Sequence, residues 1–101
     1  MSRIHWTPQA SGDLDDIHEY VKRDSPAAAT ALVVRLLTAI DQLESFPQSG
    51  RTVPEFNNPL IRELIRGSYR IVYRLWQRDV QLLRIHHAAR PLAPDLTSSA
   101  G

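Results

Sequence analysis

A chain of 101 residues with 43% hydrophobic content is the size of one compact domain able to bury a single core. It contains no cysteine, which excludes a disulfide framework and any thiolate metal site. The net charge of +1 is unevenly spread: residues 1–50 hold four basic groups against seven acidic ones, a net of −3, and the remainder hold eight arginines against four acidic groups, a net of +4. Such an asymmetry steers an acidic partner toward one side of the molecule.

The opening "MSRIHWTPQA" has no apolar leader region. The apolar stretch "AAATALVVRLLTAI" is short and interrupted by Arg35, so no membrane span and a cytoplasmic location are expected. "RIHW" alternates as a short first strand. Thr7 followed by Pro8 is an N-cap with proline at the first helical position. Ala10, Leu14, Ile17 and Val21 then recur at helical spacing, with Asp13, Asp15, Asp16 and Glu19 on a solvated face. Ser25 and Pro26 repeat the start signal for a second helix. Its apolar stripe is Leu32, Val33, Leu36, Leu37, Ile40, Leu43 and Phe46, and Pro47 with Gly50 ends it.

Residues 51–59 show no periodicity and read as a loop. "LIRELIR" (60–66) reads as a strand, Gly67 and Ser68 as a turn, and "YRIVYRLW" as a strand with Tyr69, Ile71, Tyr73 and Leu75 on one face and Arg70, Val72, Arg74 and Trp76 on the other. "VQLLRIHH" is the last strand. The predicted class is α+β: an N-terminal strand, an antiparallel helical hairpin and a three-stranded antiparallel meander forming one sheet. The hairpin covers one face and leaves the other free. Residues 1–92 form a single domain, and 93–101 are expected to be a flexible tail.

This order, with "TPQASGDLDDIHEYV", "PAAATALVVRLLTAIDQLESFPQSGR", "IRGSYRIVYRL" and "LLRIHHAARPL", resembles the ParE/RelE superfamily of toxins from type II toxin-antitoxin systems. The phrases "FPQSGR" and "HHAAR" are more similar to the ParE branch. The resemblance implies a toxin neutralised by a cognate, ParD-like, DNA-binding antitoxin. It also implies action on DNA gyrase by binding, without catalytic residues or a cofactor, with nucleic acid met only through the antitoxin or the target complex. The alternatives are a RelE-like ribosome-dependent mRNA endonuclease and an inactive toxin-fold protein. For the nuclease, the resemblance places a catalytic arginine at Arg70 and a loop glutamate near Glu55; its terminal histidine and tyrosine fall at Ala88 and Ala89 here, so a nuclease would need a slipped site using His86 or His87 just upstream, with His87 taken as the candidate.

The remaining residues have simpler readings. His86 and His87 are strand neighbours pointing to opposite faces, so they cannot share a metal ion, and no metal site is expected. His5 and His18 read as isolated surface residues, and Tyr69 and Tyr73 as inner-face packing. Pairing with Glu63 or Asp79 could occupy two arginines. Arg62, Arg66, Arg70 and Arg74, on strands joined only by Gly67 and Ser68, are expected to gather into one antitoxin-binding patch. His87 and Arg90 are the expected target-binding residues.

Overall fold

In the computed structural model, which describes residues 1–89, the chain runs β1 (Ile4–Trp6), α1 (Pro8–Lys22), α2 (Pro26–Asp41), a 3₁₀ turn (Gln42–Glu44), β2 (Arg51–Thr52), β3 (Ile61–Arg66), β4 (Tyr69–Trp76) and β5 (Asp79–His87). Both helices start as their sequences predict. The Thr7 and Ser25 side chains accept from the amides of Ala10 and Ala28, and proline follows each cap. The Thr7 hydroxyl also donates to the Leu82 carbonyl at 2.8 Å, so one residue caps α1 and fixes its start to β5.

The five strands form one sheet in the order β1-β5-β4-β3-β2, with β1 parallel to β5 and all other pairs antiparallel. The α+β order agrees with the expectation, with one addition: β2, two residues long, lies within what reads as loop. No periodicity can mark so short a strand, and only its pairing with Glu63 and Arg62 defines it. At the other edge, Asp79 accepts from the Arg3 amide and from His5 Nε2, tying β1 to the start of β5. These bonds, the Arg3 amide first, hold the Asp79 carboxyl below its ordinary range. His5, expected to be isolated, therefore has a carboxylate partner, and its ring meets Trp76 edge-on.

The main core lies between the helices and one sheet face. Leu36, Ala39, Ile40 and Leu43 from α2 and its turn, with Ala10 of α1, cover Leu64, Ile71, Tyr73, Val80, Leu82 and Ile85. Each fully buried leucine or isoleucine contributes roughly 1.5–3 kcal/mol through removal from water. Phe46, assigned to this stripe by spacing, is instead exposed beyond the helix end. Together with its turn, Pro26–Glu44 is 19 residues and apolar enough by length and composition to cross a membrane, contrary to the reading of the shorter stretch. Part of that apolarity is taken up by the core.

The opposite face is not free. Val53, Ile61, Val72 and Leu83 form a second buried cluster, with Phe56 packed against it, so the 53–60 loop folds over this side of the sheet. A bulge makes the arrangement possible: Val72 pairs with Arg84 but Tyr73 with Leu82, leaving Leu83 as the extra residue. The extra residue shifts the alternation, so that Leu82 and Ile85, three apart, both face the main core while Leu83 enters the second. Gly50 is fixed by close approach, because a Cβ there would lie 2.6 Å from both the Glu63 carbonyl oxygen and Tyr73 Oη, and its amide donates to that hydroxyl.

Candidate functional site

Three sequence features converge under the 53–60 loop. β3 and β4 are joined by a two-residue turn at Gly67 and Ser68, which pairs Glu63 with Val72 and Ile65 with Arg70 and puts Glu63 and Arg70 on the same face as near neighbours. Arg70 Nε donates to Glu63 Oε1, while Nη1 and Nη2 donate to the two carboxylate oxygens of Glu55 at 2.6 and 2.7 Å. Arg51, from β2, donates its Nε to the other oxygen of Glu63 at 2.7 Å. The Glu63 side chain has no exposed surface and that of Arg70 is 7% exposed, so this is a buried charge network sealed by the loop. The Glu55 hydrogen bonds and the two carboxylate charges raise the Arg70 guanidinium above its ordinary pKa, outweighing burial.

A second feature lies where α1 passes the end of β5. β1 covers only Val80–Leu82, so the later part of β5 has an uncovered edge. Asp13 occupies it, accepting from the Arg84 guanidinium at 2.7 and 2.9 Å and from the Ile85 amide at 2.9 Å. Asp13 is therefore not part of a simply solvated face, as its place in the acidic run implies, but an edge cap that also raises the Arg84 pKa. Beside it opens a groove of about 660 Å³ between Asp16, Ile17 and Tyr20 of α1 and Tyr69, Ile85 and His87 of the sheet. The His87 ring stands edge-on to Tyr69, and its Nδ1 accepts from the Ala89 amide. His86 lies opposite Arg70 in the β4/β5 register and is half-buried.

The four arginines expected in one patch divide between the two faces. Arg62 and Arg66 pair in register with Tyr73 and Tyr69, on the helix side. Arg70 and Arg74 point the other way because strand side chains alternate. Arg70 is buried on its carboxylates, and Arg74 donates to Gln81. Arg62 reaches back to the carbonyls of Gly50 and Gln48, and Arg66 covers the Ile65 carbonyl. Of the nuclease set, Arg70 and Glu55 meet, with one N–H from each Nη of Arg70 donated to Glu55. His87 lies with Tyr69 on the helix side of the sheet and does not join them. Arg90 and the tail 93–101 lie outside the described residues.

Sequence reasoning named Glu63 as an arginine partner, which it is, but not as the hub of a network, and it missed Arg51 and Asp13. A signal for Glu63 was present: it is a carboxylate at an inward position of "LIRELIR", one strand from Arg70 across a two-residue turn. Asp13 gave no such signal, since its partners lie more than 70 residues away. Among the described residues no group of histidines and carboxylates is arranged to hold a metal ion.

The architecture is a small α+β domain with a helical hairpin packed on a mixed five-stranded sheet. Residues 4–92 match the family model for the ParE toxin of type II toxin-antitoxin systems, parDE, and the chain belongs to that family. It is 41% identical over 88 residues to Y4kP, a candidate toxin of Sinorhizobium fredii, covering 85% of this chain and 88% of that one. It is 37% identical over 91 residues to the Toxin RelE2 of Caulobacter vibrioides, covering 89% and 99%. A solved structure of the chromosomal ParDE toxin-antitoxin system from P. aeruginosa superposes with a TM-score of 0.70 at 28% identity, covering 86% of this chain and 96% of that one. The family and the solved relative both belong to toxin-antitoxin systems.

Proposed function

We propose that the protein inhibits DNA gyrase by binding it and is held inactive in the cytoplasm by a ParD-like antitoxin. The observation that carries this reading is the state of Arg70. A guanidinium that stabilises a phosphorane must offer open donors to the developing charge. Here each of the three nitrogens, with three of the five N–H groups, is engaged by Glu63 and Glu55. The family match to ParE and the likeness to a ParDE structure support the same branch. The nuclease reading keeps one point in its favour, the relative named RelE2.

The target contact proposed is His87, at the mouth of the groove, together with Arg90. The antitoxin contact proposed is Arg62 and Arg66 on the helix side and Arg74 on the other, reached by an extended segment that passes round the sheet. Arg70 takes no part in it because it is already neutralised.

The test is to free the toxin from its antitoxin and incubate it with gyrase, ATP and supercoiled plasmid, beside a translation reaction containing labelled mRNA. Linear plasmid with intact mRNA is expected. Cut mRNA with unaffected plasmid would overturn the reading and make Arg70 the first residue to substitute. Replacing His87 and Arg90 together by alanine is expected to abolish growth arrest while leaving the fold intact.

A further inference from the structure

Backbone groups along β5 alternate between its two edges. The Ala88 amide donates to the Ser68 carbonyl on the β4 side, whereas the Ile85 amide turns outward to Asp13. By the same alternation the Ile85 carbonyl and the His87 amide face outward, beyond the reach of β1, which ends at Trp6 opposite Leu82. Neither has a partner among the described residues. This is a short length of open strand edge, of the kind that accepts an extended segment from another chain.

The groove bordering this edge has a definite chemistry. Asp13, Asp16, Ile17 and Tyr20 follow one another at helical spacing and share the face of α1 turned to it. Asp13 is neutralised by Arg84, but Asp16 is exposed and belongs to none of the ion pairs among the described residues. Tyr20 is 70% exposed, a large ring held in water on the wall opposite Tyr69 and His87. A carboxylate without a cation beside an exposed aromatic ring selects a cation, and arginine best, because a guanidinium stacks on the ring while bonding the carboxylate. An acidic segment would instead meet Asp16 with Asp15 and Glu19 beside it and be repelled.

We propose that this groove docks an extended, arginine-bearing segment of the toxin's target, its backbone pairing with Ile85 and His87 and its guanidinium lying between Asp16 and Tyr20. The inference rests on the gyrase reading only for which partner supplies the segment. It gives the acidic end of the charge asymmetry a use of its own: α1 draws a basic segment to the β5 edge, and the arginines of the sheet are left for a partner of the opposite sign.

The probe is a blocked peptide, acetyl-Val-Thr-Arg-Thr-Val-amide, titrated at constant ionic strength into the full chain freed of its antitoxin and followed by ¹H–¹⁵N NMR. The expected signature is a saturable downfield movement of the His87 amide, the mark of a new backbone hydrogen bond. The counterpart with glutamate in place of arginine should bind about ten-fold or more weakly. N-methylation of the peptide backbone should abolish the His87 shift. Asp16→Asn and Tyr20→Ala alter exposed side chains, and each should weaken the arginine peptide about two- to five-fold while leaving the rest of the spectrum in place. Equal binding of the arginine and glutamate peptides, or no saturable movement of the His87 amide, would overturn the site. The partner is decided separately with Asp16→Arg, beside an unaltered toxin that linearises plasmid with gyrase. Loss of linearisation with the antitoxin complex retained supports the target as occupant, and every other pattern, loss of antitoxin binding included, overturns that assignment. Should the unaltered toxin leave the plasmid supercoiled, the gyrase reading fails alone, and the peptide titration still decides the groove.

Discussion

Glu63 occupies a strand position between Arg62 and Leu64 where its side chain has no exposed surface, and its burial is tolerated because two arginines reach it. The two are unequal. Arg70 is buried with it, whereas the Arg51 side chain is 61% exposed, so water screens the Arg51 contact and relaxes freely around its loss. Replacing Arg70 by methionine removes a buried partner from two carboxylates and is expected to cost about 3–5 kcal/mol, read as a lower urea midpoint at unchanged slope. Arg51→Ala is expected to cost less than about 1 kcal/mol. Similar losses for both variants would mean that the network shares its energy evenly and that burial does not rank its members. The double change Arg70→Met with Glu63→Met should recover much of the loss, since two apolar groups of similar volume leave no orphaned charge.

At the scale of elements, the parts legible in the sequence are those whose cause is local. Thr7-Pro8 and Ser25-Pro26 announce their helices because a cap and a proline act within one turn of the chain. The Gly67-Ser68 turn fixes β3 against β4 because a two-residue link leaves no choice of register. What was not legible has a distant cause. β2 exists only through β3, the bulge at Leu83 only through β4, and the cover over the second face only because Val53 and Phe56 find Ile61, Val72 and Leu83. The Arg70 site was half legible: the residue was singled out, and Glu55 with it, but their mutual neutralisation depends on a loop whose path no periodicity gives.

The second hairpin turn yields a prediction of its own. Gln77 has φ +56° and is the only non-glycine residue at positive φ among those described, while the equivalent turn between β3 and β4 uses Gly67 at φ +57°. A side chain in this region costs roughly 1 kcal/mol that glycine does not incur. Gln77→Gly is therefore expected to stabilise the protein by about 0.5–1 kcal/mol, less what glycine's greater freedom in the unfolded chain takes back. A thermal melt measures it, and a lowered midpoint would show that the Gln77 side chain makes contacts worth more than the backbone strain.

Across the whole molecule, folding keeps the charge asymmetry of the sequence while removing its internal pairs. Asp13, Glu55, Glu63 and Asp79 are spent on Arg84, Arg70, Arg51 and the β1 edge. Asp15, Asp16 and Glu19 remain exposed on α1, and Arg78 remains exposed at the β4–β5 turn, while Arg62, Arg66 and Arg74 stand half-exposed on the sheet. Arg35 of α2 adds to the basic side, its Nη1 lying 3.6 Å from where a Gly67 Cβ would sit. The antitoxin segment proposed above, if acidic, would be drawn to the side of Arg35, Arg62 and Arg66 over distances set by screening, about 10 Å at 0.1 M salt. The association rate constant should therefore fall steeply as salt rises, while dissociation, governed by contacts already made, changes less. Arg62→Glu with Arg66→Glu should lower the low-salt association rate by about ten-fold or more and flatten its salt dependence. Stopped-flow mixing of toxin with antitoxin measures both. A rate indifferent to salt in the unaltered protein would mean that apolar contact on the helical hairpin, not the arginine field, brings the two chains together.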